Sequence, residues 1–356
     1  MIDIIIGARP NFMKVAPLIR EFKKRNFSDY RLIHTGQHFD RNMSKVFFKD
    51  LNLPKPDINF SISKINNSDQ TGEIMTAYEK VLKKKLPSLV IVVGDVNSTM
   101  AASIISKKFN LKLAHIEAGL RSNDLSMPEE INRIITDSIS DYFFTTTDLA
   151  SKNLIKMGFK KKNIFMVGNL MIDSLIYSLD KFINPFLFEK LTLHKKNFMI
   201  LTMHRPKNVD DFKNFSQLLF KICKSVNEKK IIFPIHPRSK KNLPSLKKLP
   251  SNLMVVNPFS YNDFIYLLSN SSGVITDSGG ITEEAAYLNI PCLTLRDNTE
   301  RPETVLSGTN FLVGSNPGEK DLKKLIQLIT SNKWKQTKKI PKWDGKTSQK
   351  IYKILS

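Results

Sequence analysis

The sequence predicts an α/β fold of two Rossmann-like domains with a ligand cleft between them, and three observations carry that reading. The chain has 356 residues, more than a single hydrophobic core usually accommodates. Short β-branched runs alternate with longer amphipathic ones, the pattern of βα units around a parallel sheet. The alternation also runs twice through the chain. The expected division lies near Gly168, giving domains 1–168 and 169–340 and a short tail, 341–356.

Taken in order, residues 2–6 read as the first strand and 12–24 as a helix, with Pro17 implying a kink or a late start. Residues 30–34 form the second strand and 71–86 a helix. Leu89-Val90-Ile91-Val92-Val93 is a fully buried strand ending at Gly94-Asp95. A helix over 98–109, a strand over 112–116 and a helix over 128–140, opened by Pro128, follow. Residues 142–144, 149–157 and 164–167 (strand, helix, strand) complete the first half. In the second half, strands are expected at 198–202, 230–235, 254–256, 273–275 and 291–295. Helices are expected at 212–225, 244–249, 262–268, 282–288 and 322–329.

Composition narrows the function classes. Hydrophobic residues make up 41% and charged residues 25%, as in a globular chain. No run approaches the ~18 apolar residues that cross a bilayer, and residues 1–10 lack the pattern of a signal peptide. Only Cys223 and Cys292 occur, which speaks against a disulfide framework or a thiolate metal site. A cytoplasmic protein without a membrane partner is expected. The net charge of +22 would suit a polyanion, but only 11 of the 55 basic residues are arginine. The lysines are scattered at predicted helix ends and turns, so they read as a solvated surface and not as a nucleic-acid interface.

Polar residues gather where strands end, and open parallel sheets bind ligands at those ends. Gly7-Ala8-Arg9-Pro10 follows the first strand; Gly7 suits close backbone approach and Arg9 a bidentate grip on phosphate. Lys14 lies one turn into the next helix, where a cation opposes the helix dipole unless an anion is near. This is no GxGxxG fingerprint, so no dinucleotide is indicated. Thr35-Gly36-Gln37-His38 marks another strand exit. Asp95 ends one apolar strand and Glu117 the next, while Glu129 and Glu130 open the helix that carries Arg133. Converging carboxylates repel unless one holds a proton, which would supply an acid and a base together.

In the second half, His204-Arg205 and His236-Pro237-Arg238 follow strands. No close histidine spacing supports a metal site. Asp277-Ser278-Gly279-Gly280 ends a strand and opens directly into a helix, so its backbone N–H groups and the helix dipole make an anion cradle. A structural Gly-Gly turn is the alternative. Glu284, about a turn further on, suits two ribose hydroxyls. Arg296 and Arg301 flank the polar loop that follows; each binds ligand or braces Asp297 or Glu300.

With these segments in family order from residue 1 to about 315, the chain resembles the non-hydrolysing UDP-N-acetylglucosamine 2-epimerases. The resemblance implies a fold like that of the GT-B glycosyltransferases, usually a homodimer, with a C-terminal helix returning to the first domain. It implies a UDP-linked N-acetylhexosamine substrate and no cofactor or metal. The C2 proton is removed, UDP is expelled to leave a 2-acetamidoglucal, and UDP and a proton then return to give the C2 epimer. On this pattern Asp95, Glu117 and Glu129 match the acid/base carboxylates, and His204 matches a catalytic-domain histidine near the diphosphate. Arg9, Lys14, Ser278, Gly279, Gly280, Glu284 and Arg301 match positions around the nucleotide. Gln37, Arg133, His236 and Arg296 are further candidates for substrate contact.

One segment departs from the family pattern. Its best-known members read His-Arg-Arg-Glu-Asn where this chain reads His204-Arg205-Pro206-Lys207-Asn208. The replacement of an acid by Lys207 puts activation by substrate in doubt. It also leaves open a substituted hexosamine such as UDP-2,3-diacetamido-2,3-dideoxyglucuronate. A hydrolysing epimerase, a GT-B glycosyltransferase and a non-enzymatic nucleotide-sugar binder are the remaining alternatives.

Overall fold

The computed structural model describes residues 1–37, 51–62, 66–179, 185–245 and 248–356. The chain divides into two compact units, Met1–Ser174 with Pro341–Ser356, and Leu175–Ile340. The division thus falls beyond Gly168, and the tail belongs to the first unit.

The first unit contains β1 (Ile2–Ile6), α1 (Arg9–Lys24), β2 (Tyr30–His34), β3 (Ile58–Asn59), α2 (Asn67–Lys84) and β4 (Leu89–Val93). Then come α3 (Asn97–Lys108), β5 (Lys112–Ile116), α4 (Pro128–Ile139), β6 (Tyr142–Thr145), α5 (Asp148–Lys156) and β7 (Ile164–Met166). Among the described residues its strands form one parallel sheet in the order β3-β2-β1-β4-β5-β6-β7. Strands β1, β4 and β5 are buried at nearly every position because helices cover both faces. Order reverses between β1 and β4, and such a switch point opens a crevice at the strands' C-terminal ends. The loops after β1 and β4 therefore lie side by side.

Helix α6 (Leu170–Leu179) leads out of the first unit, followed by α7 (Pro185–Leu191) and β8 (Phe198–Thr202). The second unit continues with α8 (Pro206–Val209), α9 (Phe212–Val226), β9 (Lys230–Pro234), α10 (Pro237–Lys241), β10 (Leu253–Val256), α11 (Tyr261–Asn270) and β11 (Gly273–Thr276). It ends with α12 (Gly279–Tyr287), β12 (Cys292–Thr294), α13 (Pro302–Leu306), β13 (Asn310–Leu312) and α14 (Glu319–Thr330). Its sheet order, β10-β9-β8-β11-β12-β13, repeats the reversal, here between β8 and β11. Strand side chains such as Met199, Leu201, Ile231, Phe233 and Ile275 pack against Phe215, Leu219 and Ile222 of α9 and Leu322 and Ile326 of α14. The expected helix at 244–249 lies partly outside the described residues.

The late start is not seen: α1 runs from Arg9 to Lys24 with Pro17 inside it. A proline there leaves the carbonyl four residues earlier without its usual donor. That carbonyl belongs to Met13, and it accepts a hydrogen bond from the buried Ser174 hydroxyl of α6. The last helix, α15 (Thr347–Leu355), packs on α1. Asp173 accepts from the Thr347 and Ser348 amides at 3.2 and 2.8 Å, satisfying two free donors at the start of α15.

Gly168 has φ +107°, and a Cβ there would run into the carbonyl oxygen of Lys342 and sit 2.9 Å from Thr347 Oγ1. A side chain would combine left-handed strain with overpacking. Gly168→Ala should therefore destabilise the protein by about 2–4 kcal/mol, measured by denaturant unfolding. Early proteolytic release of the C-terminal helix should accompany the loss.

Candidate functional site

In the first unit, the β1 and β4 exits are joined by one side chain. Asn11 Oδ1 accepts from the Gly7 and Ala8 amides, both at 3.0 Å, and its Nδ2 donates to the Val93 carbonyl at 2.8 Å. Gly7 was expected to admit a ligand, but the space beside its Cα is filled by Ser98 and Thr35. Its smallness serves packing. Gln37 is drawn into the same knot, its Oε1 accepting from Ser98 N at 3.1 Å and Ser98 Oγ at 2.7 Å. Arg9 occupies the first residue of α1, though its side chain, like His38, lies outside the described residues.

Lys14 points from α1 to the β5 exit, where its ammonium lies 2.6 Å from Glu117 Oε2; both side chains are buried. This carboxylate is the anion whose presence offsets the unfavourable helix dipole at Lys14. Glu117 has φ +75°, a conformation uncommon for any residue other than glycine. The turn holds because the Glu117 and Ala118 amides both donate to the Phe144 carbonyl, at 2.9 and 3.1 Å. Such strain aims the carboxylate away from the direction that the strand alone would give it.

Asp95 leaves β4 after Gly94, itself at φ +68°. Its carboxylate is paired with the buried Arg133 of α4, and Asn132 Nδ2 donates to its carbonyl at 2.8 Å. Arg133 also pairs with Glu130 at 2.8 Å. Burial raises the Glu130 pKa, but the Ser122 amide and the Arg133 guanidinium outweigh it and hold the carboxyl below its ordinary value. Glu130 is thus a bracing group, whereas Glu129 stands exposed on the first turn of the same helix.

The expected mutual repulsion of carboxylates is replaced by pairing. Lys14 faces Glu117, and Arg133 lies between Asp95 and Glu130. Lys14 reaches Glu117 from α1, and Arg133 serves Asp95 and Glu130 from α4. Sequence reading also passed over His115, buried mid-strand in β5, whose ring bonds Asp137 at 2.7 Å and the Gly94 carbonyl at 2.8 Å. A lone histidine inside an apolar strand was the available signal.

In the second unit, Asp277 at the end of β11 is fully buried and organises the exit of β8. It accepts from the His204 amide at 3.0 Å, the Arg205 amide at 2.9 Å and Asn208 Nδ2 at 3.0 Å. Its Oδ1 also lies 2.9 Å from His204 Nδ1, while the His204 side chain remains 40% exposed. Burial pushes the Asp277 pKa up, yet the hydrogen bonds and charge of His204 and the amides bring it below its ordinary value. This orienting role for Asp277 was not foreseen. His236 stacks obliquely beside His204, ring centroids 5.5 Å apart, and caps α10 through Nδ1.

Helix α12 starts at Gly279 with Ser278 as N-cap, whose side chain makes no capping hydrogen bond, while the Ser278 amide donates to Thr276 Oγ1 at 3.0 Å. An added Cβ on Gly279 would meet Glu300 Oε1 at 2.6 Å. Gly280 follows in the same turn, and Glu284 is buried on the next. Arg296 and Arg301 act as braces. Arg296 lies 2.7 Å from Glu300, and Arg301 lies 2.9 Å from Glu283. Burial alone would raise the Glu300 pKa, but attraction to Arg296, with Arg301 behind it, keeps it far below the usual carboxylate range. Among the described residues no group of three or more histidine, cysteine or carboxylate side chains is arranged to hold a metal ion.

Two doubly wound units, one with an acid-lined sheet edge and one with a glycine-rich helix start, place the chain among nucleotide-handling α/β enzymes. A model of the UDP-N-acetylglucosamine 2-epimerase family matches residues 20–356, and the chain belongs to that family. UDP-N-acetylglucosamine 2-epimerase of Methanocaldococcus jannaschii is 42% identical over 100% of this chain and 98% of its own. The crystal structure of that organism's enzyme with UDP-GlcNAc and UDP matches at a TM-score of 0.89 and 40% identity, over 99% of both chains. A Pseudomonas aeruginosa UDP-2,3-diacetamido-2,3-dideoxy-D-glucuronate 2-epimerase is 38% identical over 87% of each chain.

Because both side chains are buried, removing the cation takes the ion-pair partner from a buried carboxylate. Lys14→Met should lower stability by about 3–5 kcal/mol. Adding Glu117→Gln should recover much of that loss, a coupling read from a double-mutant unfolding cycle. Glu300 supplies a pH-dependent counterpart. A depressed folded-state pKa gives stability that is present above the ordinary value of 4.5 and lost as pH falls below it. Glu300→Gln should melt lower at neutral pH, with a shallower fall in melting temperature below pH 4.5.

Proposed function

We propose that the protein interconverts UDP-N-acetylglucosamine and UDP-N-acetylmannosamine by reversible inversion at C2, without hydrolysis. The observation that carries this reading is the set of carboxylates on one sheet edge: Asp95 after β4, Glu117 after β5 and Glu129 on the adjoining turn of α4. Proton removal and return on opposite faces of one carbon needs at least two such groups.

In the proposed reaction one carboxylate takes the C2 proton. The C1–O bond breaks with its electron pair passing to UDP, and a C1–C2 double bond forms. UDP then re-adds at C1 while C2 receives a proton on the other face. The departing diphosphate is assigned to the Ser278 hydroxyl and the Gly279 and Gly280 amides at the start of α12, where the helix dipole stabilises developing charge; the Ser278 amide is taken by Thr276 Oγ1 at 3.0 Å. His204, its Nδ1 held by Asp277, would present Nε2 to the same diphosphate. Lys14 and Arg133 keep Glu117 and Asp95 placed and compensated before substrate arrives. Glu284 would bind ribose hydroxyls, and Arg9 a phosphate. The braced Arg296 and Arg301 would act by holding the α12 turn, with His236 packed beside His204. A cytoplasmic homodimer is the proposed working form; no helix among the described residues is long and apolar enough to cross a membrane.

A second reading takes UDP-2,3-diacetamido-2,3-dideoxyglucuronate as substrate. It is favoured by Lys207, an exposed cation 2.6 Å from Asp297, where the family's best-known members carry an acid.

Incubation with UDP-N-acetylglucosamine in deuterated water, followed by NMR, tests both. Deuterium at C2 and a second UDP-linked epimer are expected, and release of free sugar would overturn the non-hydrolytic reading. Turnover of the diacetamido uronate alone would move the assignment to the second substrate. Glu117→Gln and Glu129→Gln should each lower kcat by about 10²–10⁴-fold while the variants still bind UDP.

A further inference from the structure

The His115 ring lies in β5 between two acceptors and is fully buried. Its Nε2 is 2.8 Å from the Gly94 carbonyl oxygen, which can only accept a hydrogen bond. Its Nδ1 is 2.7 Å from Asp137 Oδ1 on α4. A neutral imidazole carries one N–H, so it satisfies one of these contacts and opposes a bare nitrogen to the other. Two protons are therefore needed across the His115–Asp137 pair.

Their placement follows from the other carboxylate oxygen. Asp137 Oδ2 accepts from Arg121 at 2.7 Å and from the Gly119 amide at 3.1 Å. A guanidinium and a backbone N–H both favour the ionised acid. Burial opposes ionisation of Asp137, but His115 and Arg121 together hold its pKa below the ordinary value. The second proton thus stays on Nδ1.

We propose that His115 is a buried imidazolium that fastens the Asp95 turn to the Glu117 turn, making it a positioning residue for the reaction assigned above. The geometry reaches both sides. Gly94, whose carbonyl it grips, directly precedes Asp95. Asp137, which it grips through Nδ1, fixes Gly119 and Arg121 just beyond Glu117. Asp137 also stands on the helix that carries Glu129 and Arg133. One charged ring therefore ties together three carboxylate-bearing segments, alongside the sheet register, the Arg133 and Asn132 contacts and the Glu130 bonds to the Ser122 and Asn123 amides.

The proposal rests on the epimerase reading for its consequence but not for its chemistry, and the test separates the two. The full chain is labelled with ¹⁵N-histidine, and the six histidines are assigned by single substitutions at the other five. At pH 7 the His115 ring should show both nitrogens protonated. In Asp137→Asn the side-chain amide can donate to Nδ1, so the ring should convert to the neutral Nε2–H tautomer with the Gly94 contact kept. His115→Asn should lower kcat on the order of 10- to 100-fold with KM changed less than about twofold, because turn spacing matters more to proton transfer than to diphosphate binding. A wild-type ring with one unprotonated nitrogen would overturn the charge assignment, and an unchanged kcat in His115→Asn would overturn the positioning role. Failure of the wild type to place deuterium at C2 would remove the epimerase reading while leaving the ring signature to stand or fall alone.

Discussion

Compensation of buried charge is the constraint on which the first unit's sheet edge depends. Five carboxylates, Asp95, Glu117, Glu129, Glu130 and Asp137, occupy the exits of β4 and β5 and the helix beside them. Only Glu129 is exposed; the others draw on Lys14, Arg121, Arg133 and His115. Bringing ionised groups out of water is costly unless each has a partner and further hydrogen bonds. The backbone is shaped to the same end, since the strained Glu117 turn is what brings its carboxylate to Lys14. Preorganised charge of this kind is already in place before a reaction begins, so little reorganisation is left for the chemical step.

The second unit solves a different problem with the same fold. At the end of β11 it presents the main-chain start of α12 and that helix's dipole. Three cations that follow β8 and β12 are ion-paired: Arg296 with Glu300, Arg301 with Glu283 and Lys207 with Asp297. Asp277 does most of the ordering, gathering two amides, an asparagine and His204 around one buried carboxylate. In the proposed reaction, a leaving diphosphate met by those fixed dipoles would be stabilised as charge develops.

Much of this was legible in the amino-acid order, and the gaps have physical causes. Apolar runs such as 89–93 and 198–202 mark strands without ambiguity because parallel strands are buried on both faces. The two-residue β3 and the three-residue β13 lack the length to show a period. The candidate side chains were found because strand ends concentrate polar residues. What sequence could not tell was partnership. Nothing in the spacing says that Lys14 meets Glu117, that Asp277 serves His204, or that Gly7 makes room for Ser98 and not for a ligand. Those facts depend on which strands become neighbours, and a sequence lists strands in another order.

The return of residues 341–356 to the first unit has a bearing on how the chain comes together during synthesis. The second unit is one continuous stretch, Leu175–Ile340, able to collapse as soon as it emerges. The first unit, although made earliest, waits for the last helix before the amides of Thr347 and Ser348 can reach Asp173 and the outer face of α1 is covered. A nascent chain thus spends most of its elongation with an unfinished N-terminal half. Trimming a handful of residues from the carboxyl end would be felt first beside the helix that holds Lys14.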